Sequence, residues 1–387
     1  MWKILAAIGA TLVITCHCVA GNNVITGAQC MNDYLPLLEG KRVGILTNHT
    51  GTVDGVHLVD TLLARGIDVT VVFAPEHGFR GDADAGENVA SYTDARTGIE
   101  VVSIYGPNKE PRAEDVRKAD VIVFDIQDVG LRYYTYLSSM HYMMKTCAGT
   151  GKRLVVLDRP NPNGMYVDGP ILEERYRSFV GMHPIPVVHG MTLGELARMI
   201  NGEGWLGDGV RCKLTVVPCR GYIRSMRYEL PVKPSPNLPN MRSVYLYPSL
   251  CYFEATPVSI GRGTHFPFQV YGHPALKGAF DFTPRATEGA RNPPQKDKLC
   301  HGVDLRGGPT DEQLIAAGIN LDYVIGAYRA LGLGEKFFTP MFERLIGVAY
   351  VRQMIMAGAE ADEIRARWSD DVARFREQRK PYLLYEE

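Results

Sequence analysis

Val69-Thr70-Val71-Val72-Phe73-Ala74-Pro75-Glu76-His77-Gly78-Phe79-Arg80-Gly81 is the stretch whose reading decides the fold. Val69 to Phe73 is a short β-branched, apolar run of the kind that makes a buried strand. Pro75 lacks a backbone donor and cannot extend a central strand, so the strand stops there. Gly78 and Gly81 then permit tight backbone geometry. A carboxylate and an imidazole, Glu76 and His77, are thereby delivered side by side at the carboxyl end of a strand. In open α/β sheets that edge is where ligands bind.

The same alternation continues on both sides of this stretch. Arg42 to Thr47 reads as a strand and Val56 to Arg65 as a helix closed by Gly66. Further strands are expected at Glu100 to Ser103, Val121 to Asp125, Leu154 to Asp158 and Lys213 to Val217. Helices are expected at Ala113 to Lys118, at Leu131 to Ala148 and after Thr192, where Thr192 and Glu195 fit a capping box. Strands this apolar, separated by helices, imply a parallel sheet covered on both faces. The fold class is therefore α/β: a Rossmann-like parallel sheet with helices on both faces, plus a smaller C-terminal α+β domain. Four prolines between Pro231 and Pro239 read as an extended connector. The boundary falls there, giving an N-terminal domain over 21–235 and a C-terminal one over 236–387. The latter closes with helical stretches at Asp311 to Leu331, Thr339 to Ala357 and Ala361 to Glu377.

A formal net charge of −1 over 387 residues argues against an electrostatic nucleic-acid binder. Lys3, the apolar run Ile4 to Ile14 and Cys18-Val19-Ala20 read as a signal peptide over 1–20, cleaved after Ala20. The run is too short for a comfortable transmembrane span. The protein is expected to be exported and periplasmic, with lipid attachment at Cys16 as the alternative. Six cysteines remain after such cleavage, with no CxxC spacing. They read equally as disulfide partners or as buried free thiols.

The strand ends carry the candidate chemistry. Asn48 and Thr50 follow the first strand, where the G-x-G-x-x-G of a dinucleotide site is absent, so no nicotinamide cofactor is expected. Asp125 to Tyr136 holds Gln127, Asp128, Arg132 and Tyr134; Arg132 with its tyrosines suits a sugar bearing a carboxylate. Asp128 also fits the N-cap of the following helix. Asn161 sits in a proline-stiffened loop, and His189 precedes the capped helix. In the second half, Asn237 lies in the connector, Glu254 is flanked by aromatics, and Arg262 and Thr264 lie in a Gly-Arg-Gly-Thr run. His49, Asp54, His57, Glu76 and His77 show no H-E-x-x-H or comparable spacing, so no metal is expected.

Taken together, Pro75-Glu76-His77-Gly78, the Asp125–Tyr136 run, Asp158-Arg159-Pro160-Asn161-Pro162, His189-Gly190-Met191-Thr192, Pro234-Ser235-Pro236-Asn237 and Gly261-Arg262-Gly263-Thr264 resemble one bacterial family. It was long catalogued as a domain of unknown function, and its characterised members are exo-acting β-N-acetylmuramidases of peptidoglycan turnover. The resemblance covers about Gly40 to the C-terminus. It implies an active site in the cleft between the two domains and release of N-acetylmuramic acid from the non-reducing end of peptidoglycan-derived glycans. It also carries Glu76 over as the leading catalytic residue. Glycoside hydrolysis uses two carboxyl groups, so Glu254 and then Asp128 are the expected partners of Glu76. The substrate-binding candidates are Asn48, His77, Gln127, Arg132, Tyr134, Asn161, His189, Asn237, Arg262 and Thr264. The competing readings are a non-catalytic peptidoglycan-fragment binding protein and a metal-dependent amidase or deacetylase.

Overall fold

The computed structural model of the chain describes residues 24–80 and 90–387. The expected signal segment with Cys16, and Gly81, lie outside the described residues. The main sheet comprises β1 (Arg42–Thr47), β2 (Asp68–Ala74), β3 (Tyr92–Thr93), β4 (Glu100–Ser103), β5 (Val121–Asp125), β6 (Arg153–Leu157) and β7 (Lys213–Val217). Their order is β3-β4-β2-β1-β5-β6-β7. Every pairing is parallel except β3 with β4, at one edge. β2 ends at Ala74, immediately before Pro75, as the missing donor requires.

The strands are apolar throughout because both faces are covered. Leu46, Phe73, Phe124 and Val156 point into one core, while Val43, Ile45, Val72 and Val123 point into the other. The second core is closed by α1 (Met31–Leu38) and α2 (Leu58–Ala64). The first is closed by α4 (Tyr136–Thr150) and α5 (Leu193–Gly202), which follow the short α3 (Ala113–Val116). It continues without interruption into the second half of the chain, where it takes in Tyr252, Phe342 and Trp368. Expected strand ends hold to within a residue, and Thr192 and Glu195 form the capping box.

Helix starts differ more. Val56 and His57 pair with Thr52 and Val53, and His57 caps α2 through its ring nitrogen, so the helix begins at Leu58. Asp128 does not cap a helix. Its Oδ1 accepts from the Gly130 amide, residues 132–135 form turns and bends, and α4 begins only at Tyr136.

Beyond α6 (Met241–Leu250), a small antiparallel sheet has the order β8 (Val270–His273), β10 (Cys300–Asp304), β9 (Phe280–Phe282). The three expected closing helices are six. Gly318 parts α7 (Asp311–Ala317) from α8 (Asp322–Leu331), and Gly347, at φ 90°, parts α9 (Met341–Ile346) from α10 (Tyr350–Met356). Trp368 parts α11 (Ala361–Ala366) from α12 (Ser369–Arg379) by turning inward to donate to Asp168 (2.8 Å). The six described cysteines are buried free thiols. Among the described residues no helix is long and apolar enough to cross a membrane.

Candidate functional site

Past Pro75 the chain folds into a turn closed by the Gly78 amide donating to the Pro75 carbonyl (3.0 Å). His77, at φ 70°, and Gly78, at φ 76°, both take left-handed conformations. For a residue with a Cβ this is unfavourable and is held only when the surroundings over-determine it. Here the His77 ring is buried, with Nε2 3.3 Å from the Ser235 hydroxyl of the connector. The turn presents Glu76 outward. The Tyr105 hydroxyl donates to its Oε1 (2.9 Å) and the Thr135 hydroxyl to its Oε2 (2.7 Å). Thr135 stands at the N-cap of α4 but makes no cap bond with its side chain, because that hydroxyl serves Glu76.

Glu76 faces a cavity of about 840 Å³ lined from both halves of the chain. Six of the sequence-derived candidates line it: Glu76, His77, Tyr134, Asn237, Glu254 and Arg262. The proline-rich connector forms one wall, where Tyr134 donates to the Pro234 carbonyl (2.7 Å) and Asn237 to the Gly289 carbonyl (2.8 Å). Glu254 is ion-paired to Arg262 and accepts from the Cys251 thiol (3.4 Å). The Arg262 guanidinium also lies 5.2 Å from the centre of the Phe268 ring, which meets Tyr247 edge-on at 4.7 Å. Phe268 is a second bulky residue at positive φ (56°), so strained backbone lies on both sides of the cavity.

The structure does not bring the other seven candidates to this cavity. Arg132 is fully buried and donates to four backbone carbonyls, those of Pro170, Ile185, Leu345 and Ile346, at 2.7–3.0 Å. It cannot read a substrate carboxylate; it ties the end of α9 to the N-terminal half. Asn48 and Gln127 lie at the crevice where the strand order reverses, between β1 and β5. That crevice is filled by the Thr50 hydroxyl, which donates to Asn48 (2.6 Å) and accepts the Gln127 amide (2.9 Å).

Asp128 and Asn161 face a separate small void of about 10 Å³ at the ends of β5 and β6. That is room for about one water. Burial pushes the Asp128 carboxyl up to about 7. Asn161 accepts from the Asn163 amide (2.8 Å) and donates to the Met191 carbonyl (2.9 Å), an internal loop brace. His189 is buried, accepts the Met191 amide (3.2 Å) and is held neutral by burial and by Arg379, Arg132 and Arg224, which bring it down to about 3. Thr264 donates to the Gly261 carbonyl of its own turn (2.6 Å).

Sequence reasoning missed Tyr105, Lys109, Thr135, Phe179 and Arg344, all of which line the cavity. Tyr105 and Lys109 follow β4, so the strand-end rule applied to β2 would have found them. Phe179 and Arg344 carry no local signal. Of the residues weighed as metal ligands, His57 caps α2, His49 contacts the Lys233 carbonyl (2.8 Å) and Asp54 accepts from Gln29 (2.8 Å). Among the described residues no three His, Cys, Asp or Glu side chains are grouped to hold a metal ion.

Comparison with known proteins agrees with this architecture. Residues 43–242 match the family model described as the N-terminal part of the exo-β-N-acetylmuramidase NamZ, and residues 245–385 match its C-terminal part. The peptidoglycan β-N-acetylmuramidase NamZ of Bacillus subtilis (strain 168) is 37% identical over 379 residues, spanning 91% of this chain and 89% of that one. A DUF1343 family protein from Bacteroides fragilis, solved as a crystal structure, superposes with a TM-score of 0.88 at 53% identity over 94% of this chain and 99% of its own. A second DUF1343 protein from the same organism gives 0.78 at 29% identity over the same shares.

Proposed function

This chain belongs to the exo-β-N-acetylmuramidase family of glycosidases, and we propose that its own reaction is the release of N-acetylmuramic acid from the non-reducing end of peptidoglycan fragments. The observation that carries the reading is Glu76, facing a cavity that a second carboxyl, Glu254, also lines. We assign Glu76 as the general acid that protonates the leaving sugar oxygen. The hydroxyls of Tyr105 and Thr135 fix the plane of its carboxyl and, because a hydroxyl both donates and accepts, partner it in either protonation state. Glu254 is the partner carboxylate, positioned by Arg262. Asp128 drops out of the pair because it faces a different void. The two halves, 21–235 and 236–387, act as the two walls of the site. The pattern over 1–20 supports export, with the reaction in the periplasm.

The test is Glu76→Gln against a chromogenic N-acetylmuramide. General acid catalysis contributes about 10²–10⁴-fold, so kcat should fall by that factor while binding of N-acetylmuramic acid persists. Near-normal release by the variant would remove the assignment. Wild-type protein that binds the sugar without turning over a muramide would instead be a carrier of cell-wall fragments.

A further inference from the structure

We propose that Lys109, Phe179 and Arg344 form a subsite that reads the carboxylate carried by the terminal sugar, a step that rests on the muramidase reading of the same cavity. The two guanidiniums that the sequence singles out are both occupied: Arg132 by four buried carbonyls and Arg262 by Glu254. Yet the described charged residues lining the cavity are the acids Glu76 and Glu254 against Lys109, Arg262, Arg291 and Arg344. In a chain of net charge −1 that local excess of cations favours an anionic ligand. Arg262 and Arg291 are engaged with protein groups. Lys109 and Arg344 make no ion pair with any carboxylate among the described residues.

Lys109 by its ammonium and Arg344 by its backbone both border one structural unit. Ser178 and Gly181 exchange backbone hydrogen bonds (2.8 and 3.0 Å), closing a tight turn with Phe179 and Val180 at its tip. Phe179 is held by Tyr142, stacked at 6.3 Å, and by Tyr105 at 5.9 Å. The Lys109 ammonium lies 4.9 Å from the centre of the Phe179 ring. On the other side of the turn, the Arg344 backbone passes 3.6 Å from where a Cβ on Gly181 would lie. Tyr105 then connects the unit directly to Glu76. An aromatic ring with an ammonium over it, one residue removed from the acid and in a cavity that Arg344 also lines, suits a sugar ring with a carboxylate on its edge. In muramic acid that carboxylate is the ether-linked lactyl group. When a stem peptide is attached, the lactyl carboxyl is amidated and the carboxylates belong to the peptide.

Arg344→Met and Lys109→Met keep the apolar stems, and both side chains reach the cavity surface, so melting temperatures should match wild type. A charge-assisted hydrogen bond contributes about 1.5–3 kcal/mol, or about tenfold or more in affinity. Each variant should therefore raise KM for a chromogenic N-acetylmuramide about tenfold with kcat unchanged, and the double variant more. Calorimetric affinity for N-acetylmuramic acid should fall likewise, while that for N-acetylglucosamine stays constant. A KM increase confined to peptide-bearing muramyl disaccharides would assign the subsite to stem carboxylates. Unchanged KM and unchanged muramic acid affinity in the double variant would overturn it. If wild type binds muramic acid but turns over no muramide, weakened binding in the double variant would keep the subsite and discard the glycosidase reading.

Discussion

Thr135 begins a helix without capping it, and this makes the catalytic role proposed for it separable from its contribution to folding. A side chain that caps contributes about 1 kcal/mol of stability. Since the Thr135 hydroxyl donates to Glu76 instead, Thr135→Val should leave thermal stability nearly unchanged. It should lower kcat by about tenfold, because it removes one hydrogen bond that orients the acid. Tyr105→Phe should behave the same way, and steady-state kinetics beside thermal denaturation checks both. Asp128 gives the opposite case, stability without catalysis. Burial raises its carboxyl from 3.8 to about 7, so the folded state holds the proton more tightly than the unfolded one. That stabilisation is complete below about pH 4 and is lost as pH rises to about 7, an effect of a few kcal/mol. Asp158, pushed up to about 6 by burial, acts in the same direction. Denaturant unfolding of Asp128→Asn should show a flatter loss of stability from pH 4 to 7 than wild type.

At this scale Glu76, His77 and Glu254 could be picked out as cavity-lining residues, because a proline stop or an aromatic flank is a local signal. Asn48, Gln127 and Asn161 read as ligand-binding groups from the same polar chemistry that here braces loops to one another. Only tertiary contact separates the two uses.

Among the elements, the strands were legible nearly to the residue, since a strand buried on both faces must be apolar along its length. Helix starts were not, because polar side chains diverted to other partners moved them. His57 and Asp128 are the examples. The breaks in the closing helices fall at Gly318, Gly347 and Trp368, whose roles depend on contacts remote in sequence. Gly347 is the sharpest of these. A Cβ there would lie 2.5 Å from Nη2 of Arg132, and its φ is 90°. Gly347→Ala should cost at least about 1–2 kcal/mol from backbone conformation alone. Because α9 carries Arg344 to the cavity, the same variant should also raise KM.

Over the molecule as a whole, one face of the sheet and the closing helices share a continuous core, and the cavity opens between the two halves. The fold class was visible in the sequence. That Arg132 ties α9 to the N-terminal half was not, because a guanidinium bonded to carbonyls leaves no complementary acid to search for. Arg132→Met removes the donor from four buried carbonyls, of which only that of Ile185 keeps another, the Leu172 amide (3.4 Å), and each stranded one is a potential cost of about 1–3 kcal/mol. Denaturant unfolding should show a loss of about 3 kcal/mol or more.

Arg132 grips α9 only by main-chain oxygens, so it is indifferent to which side chains that helix displays. Natural drift can therefore rewrite position 344, and with it the preferred glycan, while the scaffold keeps its anchorage. In a lineage that meets differently decorated cell walls, diet could change faster than architecture.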